Sequence, residues 1–195
     1  MTTHTVETAT AADEAAVFAV LTLAFSNDPA TRWTWPQPKA YLEAFPHFAK
    51  AFGGAAFGAG GAHRIGSAGA ALWLPPGVDS DDAAIVALMQ RTADVKSAVD
   101  GPQIMQQMAR YHPTEPHWHL PLIGIDPAHQ GKGLGGILMR HATDICDRDG
   151  VLAYLESSNL RNVPLYERHG FEVLGKIQAG SSPVITPMLR KPQGR

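Results

Sequence analysis

Leu122-Ile123-Gly124-Ile125-Asp126-Pro127-Ala128-His129-Gln130-Gly131-Lys132-Gly133-Leu134-Gly135-Gly136-Ile137-Leu138 is the stretch on which the fold turns. An apolar run stops at Asp126-Pro127. A few residues later an amphipathic segment begins, with Leu134, Ile137, Leu138, His141, Ala142 and Ile145 on one stripe. This reads as a strand, a turn and a helix. Three of the four residues from Gly133 to Gly136 are glycine, at the start of that helix. The first turn of a helix leaves its N–H groups without partners, and the aligned peptides place about half a positive charge there. Glycines let an anion approach those groups with no Cβ in the way. The segment is therefore expected to hold a phosphate group, most simply a pyrophosphate, with Lys132 adding a mobile positive charge.

Two well-known phosphate loops compete for the same residues. Gly131, Gly133 and Gly136 spell G-x-G-x-x-G, and Glu156 follows at about the distance of the acidic residue in the dinucleotide fingerprint. In that motif the strand runs almost directly into the first glycine. Here Asp126 to Gln130 intervene, with a proline, and too little chain follows Gly136 to complete a dinucleotide-binding sheet. A P-loop fails because no Gly-Lys-Ser/Thr closes the turn.

Working outward, Trp118 to Ile125 is the strongest strand in the chain. Gly150 stops the helix that starts at Leu134. Val151 to Leu155 is the next strand, Asn162 to His169 a short helix closed by Gly170, and Phe171 to Ile177 and Val184 to Leu189 the last strands. Toward the N-terminus, Thr5 to Thr8 alternates as a short strand, and Thr10 and Asp13 are caps for a helix reaching Phe25. Asp28-Pro29 ends that helix, and Trp33 and Trp35 follow in a stretch broken by Pro36 and Pro38. Tyr41 to Phe52 predicts a helix with a kink or break at Pro46. Gly53 to Gly61 predicts a flexible turn or weak strand edge, and Ala68 to Leu74 a strand stopped by Pro75-Pro76-Gly77. A helix starts within Asp79 to Asp82, and another covers Ala93 to Tyr111 with an interruption near Gly101-Pro102. Interleaved strands and helices argue for an α/β or α+β fold rather than a bundle.

The chain has 195 residues, 45% of them hydrophobic, which suits one buried core and a single domain over 1–195. A net charge of -2 and the lack of any Lys/Arg run argue against a nucleic-acid partner. Met1 to Thr10 is polar and has no basic segment followed by a long apolar run, so no secretory leader is expected. No apolar stretch is long enough for a membrane span. Cys146 is the one cysteine, lies at helical spacing among apolar residues and reads as a small core residue. A reducing, cytoplasmic setting fits.

Two blocks carry a family resemblance. Gln130-Gly131-Lys132-Gly133-Leu134-Gly135, preceded by Ile125-x-Pro127, resembles the acetyl-CoA-binding motif of the GNAT superfamily of N-acetyltransferases. Asn162-Val163-Pro164-Leu165-Tyr166-Glu167-Arg168-His169-Gly170-Phe171 resembles that family's second signature, in the family's order and at its separation. Ala71 to Gly77, His117 to Leu120 and Tyr154 to Ser158 are similar to the branch containing puromycin N-acetyltransferase. The resemblance implies a central, mostly antiparallel, splayed sheet flanked by helices. It implies direct transfer of an acetyl group from acetyl-CoA, a co-substrate, to an amine, with no acyl-enzyme.

The implied roles fall on named residues. Gln130, Gly131, Lys132, Gly133, Leu134, Gly135 and Gly136 would hold the phosphates. Ile123 and Ile125 would pair main-chain groups with the pantetheine arm and polarise the thioester carbonyl. Tyr166, with an ordinary phenol pKa near 10, would protonate the leaving thiolate. Asn162 either bonds the cofactor arm or caps its own short helix. His119 lies on the strand before the loop, where many members place a carboxylate base; it is a base or a buried structural histidine. His117 shares its face if the strand is regular. Glu156, at a strand end, is a second candidate base or a partner for a cationic amine through a water. Asp28 would attract the amine, or merely end its helix; Trp33 and Trp35 would line an aromatic slot, or cap the core. His117-x-His119 with His112 and Glu115 nearby lacks a convincing third ligand, so no metal is expected. The acceptor is expected to be a small-molecule amine. A protein or peptide acceptor and a non-catalytic acyl-CoA sensor are the alternatives, and the oligomeric state is unreadable.

Overall fold

The computed structural model describes residues 4–194. Met1–Thr3 and Arg195, the ends of the expected single domain and of the polar N-terminal stretch, lie outside the described residues. Among the described residues seven strands form one sheet: β1 (Glu7–Thr8), β2 (Ala62–Ile65), β3 (Gly69–Leu74), β4 (His117–Ile125), β5 (Leu152–Ser157), β6 (Glu172–Val173) and β7 (Thr186–Arg190), in the order β1-β2-β3-β4-β5-β7-β6. Every neighbouring pair is antiparallel except β4 and β5. A parallel pair needs a long crossover, and α7 (Leu134–Asp149) supplies it. The remaining helices are α1 (Glu14–Ala24), α2 (Pro29–Thr34), α3 (Pro38–Gly53), α4 (Ala55–Gly58), α5 (Asp82–Thr92), α6 (Val95–Tyr111) and α8 (Val163–Glu167). The mixed α/β fold with a mostly antiparallel, helix-flanked sheet is the one expected.

Helices cover both faces. On one, Leu21 of α1 and Phe45 of α3 close over Leu72, Leu74 and Leu122. On the other, Leu134, Leu138, Met139, Ala142 and Cys146 of α7 pack on Ala71, Trp73 and Leu120. Each fully buried leucine contributes roughly 2 kcal/mol. Cys146 is 1% exposed, as its spacing predicts, and burial pushes its thiol up to about 12. Gly124 lets α1 lie against β4, since a Cβ there would come within 2.5 Å of the Ala24 Cβ.

Two irregularities in β4 shape the site. The pairing with β3 slips by one residue between Leu72↔Leu122 and Leu74↔His119, so β4 carries an extra residue there. Such a bulge inverts the alternation of side chains: Leu120 joins the α7 core, whereas Leu122, two residues on, joins the α1–α3 core. Second, β4 pairs with β5 only from His117↔Leu152 to Leu120↔Leu155. Pro121 is next, and proline has no N–H to donate to a ladder. From that point the two strands part, and the edge of β4 facing β5 is open.

Several local expectations are corrected. Asp28-Pro29 does end α1, but it also begins α2, because Asp28 caps it and a proline suits the first helical position. Gly53 to Gly61 holds α4 instead of a loose turn, and β2, which follows, was not expected. α3 continues through Pro46 and α6 through Gly101-Pro102, each carried by packing of its apolar face. The strand expected from Phe171 to Ile177 shrinks to Glu172–Val173, with an isolated bridge at Ile177.

Candidate active site

The glycine-rich segment forms one wall of the β4–β5 opening. Asp126 caps a short turn over Pro127–His129 by accepting the Ala128 N–H, and the Gln130 side chain returns to the Ile125 carbonyl at 3.1 Å. Gly131 and Gly133 have φ of 75° and 78°, a left-handed conformation that L side chains rarely adopt. Gly133 caps α7, and the Ile137 N–H is bonded to its carbonyl. The N–H groups of Leu134, Gly135 and Gly136 precede that bond and form the unpaired first turn. A Cβ at Gly131 or Gly133 would meet nothing within 4 Å, so the space above the loop is open. The Lys132 ammonium is nearby, bonded to the Ala128 carbonyl at 3.3 Å. An exposed positive helix end with no Cβ above it fits a pyrophosphate.

The chemistry-bearing side chains meet at the split. His119 of β4 and Glu156 of β5 are brought together by the parallel pairing, with Nε2 to Oε2 at 3.1 Å. Their side chains are only 11% and 6% exposed. A carboxylate can only accept, so His119 Nε2–H donates to Glu156 and Nδ1 keeps its lone pair. Phe25, Leu120, Pro121, Ile123, Leu155, Glu156, Ser158, Asn162 and Tyr166 line the narrow cleft between the strands. Tyr166 is 5% exposed; burial first, then the Asp28 carboxylate, pushes its phenol above the ordinary range. At neutral pH it therefore carries its proton. Asn162 occupies the cap position of α8 without a capping side-chain bond, which leaves its amide to the cleft. Ile123 and Ile125 are half-buried against the α7 core, and their main chain pairs with Ala71 and Gly69 on the β3 side.

The three expected acceptor residues fare differently. Trp35 is 1% exposed in the α1–α3 core, with its indole N–H bonded to Thr92. It offers no face to a substrate, and the expected slot loses that wall. Trp33 packs among Ile104, Met108, Tyr111, Ile177 and Ile185 and donates to Ser181. Asp28 is 7% exposed; Oδ1 accepts the Ala30 and Thr31 N–H groups, and Oδ2 the Ser158 hydroxyl at 2.6 Å. Both oxygens are engaged, so Asp28 ties the α1–α2 corner to the end of β5 rather than presenting a free charge to an amine. Burial raises its carboxyl above the usual range. Phe25 begins the stretch expected to form the acceptor pocket and does line the cleft, whereas Pro121 was not singled out in the sequence. A proline inside the best strand was the available signal, since it marks where a ladder must end.

Residues 100–171 match the family model described as the acetyltransferase (GNAT) family. A Corynebacterium glutamicum structure, described as histone acetyltransferase HPA2 and related acetyltransferase, is 27% identical; the match covers 98% of this chain and 97% of that one, with a TM-score of 0.68. The fold is that of a GNAT acetyltransferase. An uncharacterised N-acetyltransferase of Schizosaccharomyces pombe is 32% identical over 117 residues, 53% of this chain. The match spans 47% of that curated relative's length. A Drosophila melanogaster polyamine N-acetyltransferase shares the GNAT fold at 13% identity, over 96% and 99% of the two chains, with a TM-score of 0.57. The family model, the curated relative and the Corynebacterium glutamicum structure are all described as acetyltransferases, and this chain is similar to each of them. Among the described residues, no helix is long and apolar enough to cross a membrane, and no group of three His, Cys, Asp or Glu side chains is placed to hold a metal.

Proposed function

We propose that the chain, as one domain, is an acetyl-CoA-dependent N-acetyltransferase that moves an acetyl group directly to the amine of a small molecule. The observation that carries this reading is the buried His119–Glu156 pair, whose Glu156 lines the β4–β5 cleft together with Tyr166. Acetyl-CoA supplies an acyl group activated as a thioester. The N–H groups of Leu134, Gly135 and Gly136 hold its phosphates, with Lys132 as counter-charge. The open edge of β4 around Ile123 and Ile125 receives the extended arm and donates a main-chain N–H to the carbonyl oxygen. Asn162 bonds the arm from the opposite wall. His119, oriented by Glu156, takes the ammonium proton at Nδ1, which frees the nitrogen lone pair for attack. Tyr166 then gives its phenolic proton to the departing sulfur and regains one from the nitrogen, which sheds its second proton as the amide forms.

A small acceptor is favoured by a fixed wall beside α6, the helix that ends next to His112. Asp100 of α6 accepts the Ser181 N–H and hydroxyl, Trp33 donates to Ser181, and Gln107 makes a reciprocal pair with the Gln178 backbone. These bonds pin the segment before β7 onto α6 and α2, so that wall is fixed in place. The three stretches resembling the puromycin N-acetyltransferase branch lie side by side on β3, β4 and β5. This supports that branch without naming an acceptor. The single thiol, buried and unreactive, suits a cytoplasmic protein.

The test is thiol release from acetyl-CoA with a panel of aminoglycosides, puromycin-like nucleosides, polyamines, amino acids and short peptides. Release dependent on one small amine is expected. Release with peptides alone would favour a protein acceptor. Binding of acetyl-CoA with no release from any amine would favour a sensor.

A further inference from the structure

His112, just past the end of α6, has no task in the transfer itself, yet it touches the base. Its ring is centred 5.3 Å from the His119 ring, nearly perpendicular to it, and 5.0 Å from the Tyr154 ring. Its Nε2 lies 3.1 Å from Nε2 of His117. His117 Nδ1 lies 2.8 Å from the Glu115 carbonyl, which can only accept, so the His117 proton is on Nδ1. His117 Nε2 is then the acceptor, and His112 Nε2–H the donor. This order leaves the lone pair of His112 on Nδ1. The His119 imidazole is thus boxed by Phe52 of α3 at 5.8 Å, Tyr154 of β5 at 5.8 Å and His112. Phe52 carries no charge, and burial beside Glu156 holds the Tyr154 phenol in its neutral form. His112 is exposed and can change its charge.

We infer that His112, braced by His117, is a positioning residue for the His119–Glu156 base: its ring holds the His119 imidazole on Glu156. The inference rests on the base assignment above. The groups that act on His112 are His119 and His117 of β4, Glu156 of β5 and Asp79 after β3, with Tyr154 against its ring. Burial first, then His119, lowers its titration, so it is neutral at neutral pH. Acid adds a proton at Nδ1 while the Nε2–H bond to His117 persists. The brace survives, but two cationic imidazoles in contact repel. A charged His119 therefore opposes protonation of His112.

The experiment is ¹⁵N NMR of the histidine rings in the whole protein across pH, paired with kcat measurements on the variants. His117 is expected as the Nδ1–H tautomer and His119 as the Nε2–H tautomer. H112F, which keeps a ring against His119, should leave kcat nearly unchanged, and H119Q should move the His112 midpoint to higher pH. In H112A, which loses the ring, kcat should fall roughly tenfold, short of the 10²-fold that misplacement can cost. Acetyl-CoA affinity should be unchanged in both variants. An Nε2–H tautomer at His117, or full activity in H112A, would overturn the inference. Full activity in H119Q and E156Q would instead sink the base assignment, and the ring tautomers would still read separately.

Discussion

The two sides of the β4–β5 split are built by opposite means. The phosphate side is made of main-chain groups from one continuous segment, Gln130 to Gly136, where the side chains matter mainly by being absent. The other side is made of side chains from the α1–α2 corner, α3, the end of α6, β4 and β5, joined by contacts such as Asp28–Ser158 across 130 positions of sequence. A backbone site needs only local geometry, and turn residues write it directly. A side-chain site needs the whole fold to bring its members together.

This contrast can be broken or sharpened by substitution. The largest effect belongs to the side-chain half. E156Q should lower kcat by about 10³-fold at unchanged acetyl-CoA affinity, since Gln cannot stabilise a charged His119. Equal loss of cofactor binding would mean that the halves are not separable.

A control lies away from both halves. His63 of β2 is 2% exposed, neither of its ring nitrogens has a partner, and His141 is its ring neighbour at 4.6 Å. Burial pushes it down to about 4 from 6.5. The unfolded chain binds its proton first, so folding stability falls as pH drops from 6.5 toward 4, by about 3 kcal/mol. Denaturant melts over that range should show the loss, and H63F should remove it. An unchanged acid profile in H63F would show that another group governs acid stability, and that an unpartnered imidazole costs little here compared with the paired His119.

Y166F should lower kcat by about 10²-fold with acetyl-CoA binding intact, measured by thiol release and calorimetry. Unchanged turnover would move the proton donor elsewhere. The smallest effect sharpens the backbone half. A Cβ at Gly135 would make only ordinary contacts, 3.5 Å from Leu165 and 3.9 Å from Ile125. G135A should therefore keep or raise Tm, as alanine favours a helix by up to about 1 kcal/mol, yet weaken acetyl-CoA about tenfold by crowding the phosphates. Unchanged affinity would place the phosphates away from this turn.

The asymmetry explains which readings were available early. α7, its left-handed glycine cap at Gly150 and the strands on either side follow from periodicity and turn chemistry that act over a few residues. The same holds for the loop before α7. α2 and α4 were missed because their short apolar patterns are stabilised by packing more than by propensity. Trp33 and Trp35, two residues apart, went to different environments, one beside α6 and one into the α1–α3 core. Nothing in their spacing distinguishes these fates.

The sequence by itself determined the strand-turn-helix that presents unpaired N–H groups to an anion, because glycine, proline and helix-terminus physics are local. Only the tertiary structure decided the rest. The bulge and Pro121 in β4 end its pairing and open the split. The parallel register then sets His119 against Glu156, and the return of α6 lays His112 on the same ring. Those groups are far apart in the chain, and only burial in a common core sets their distances.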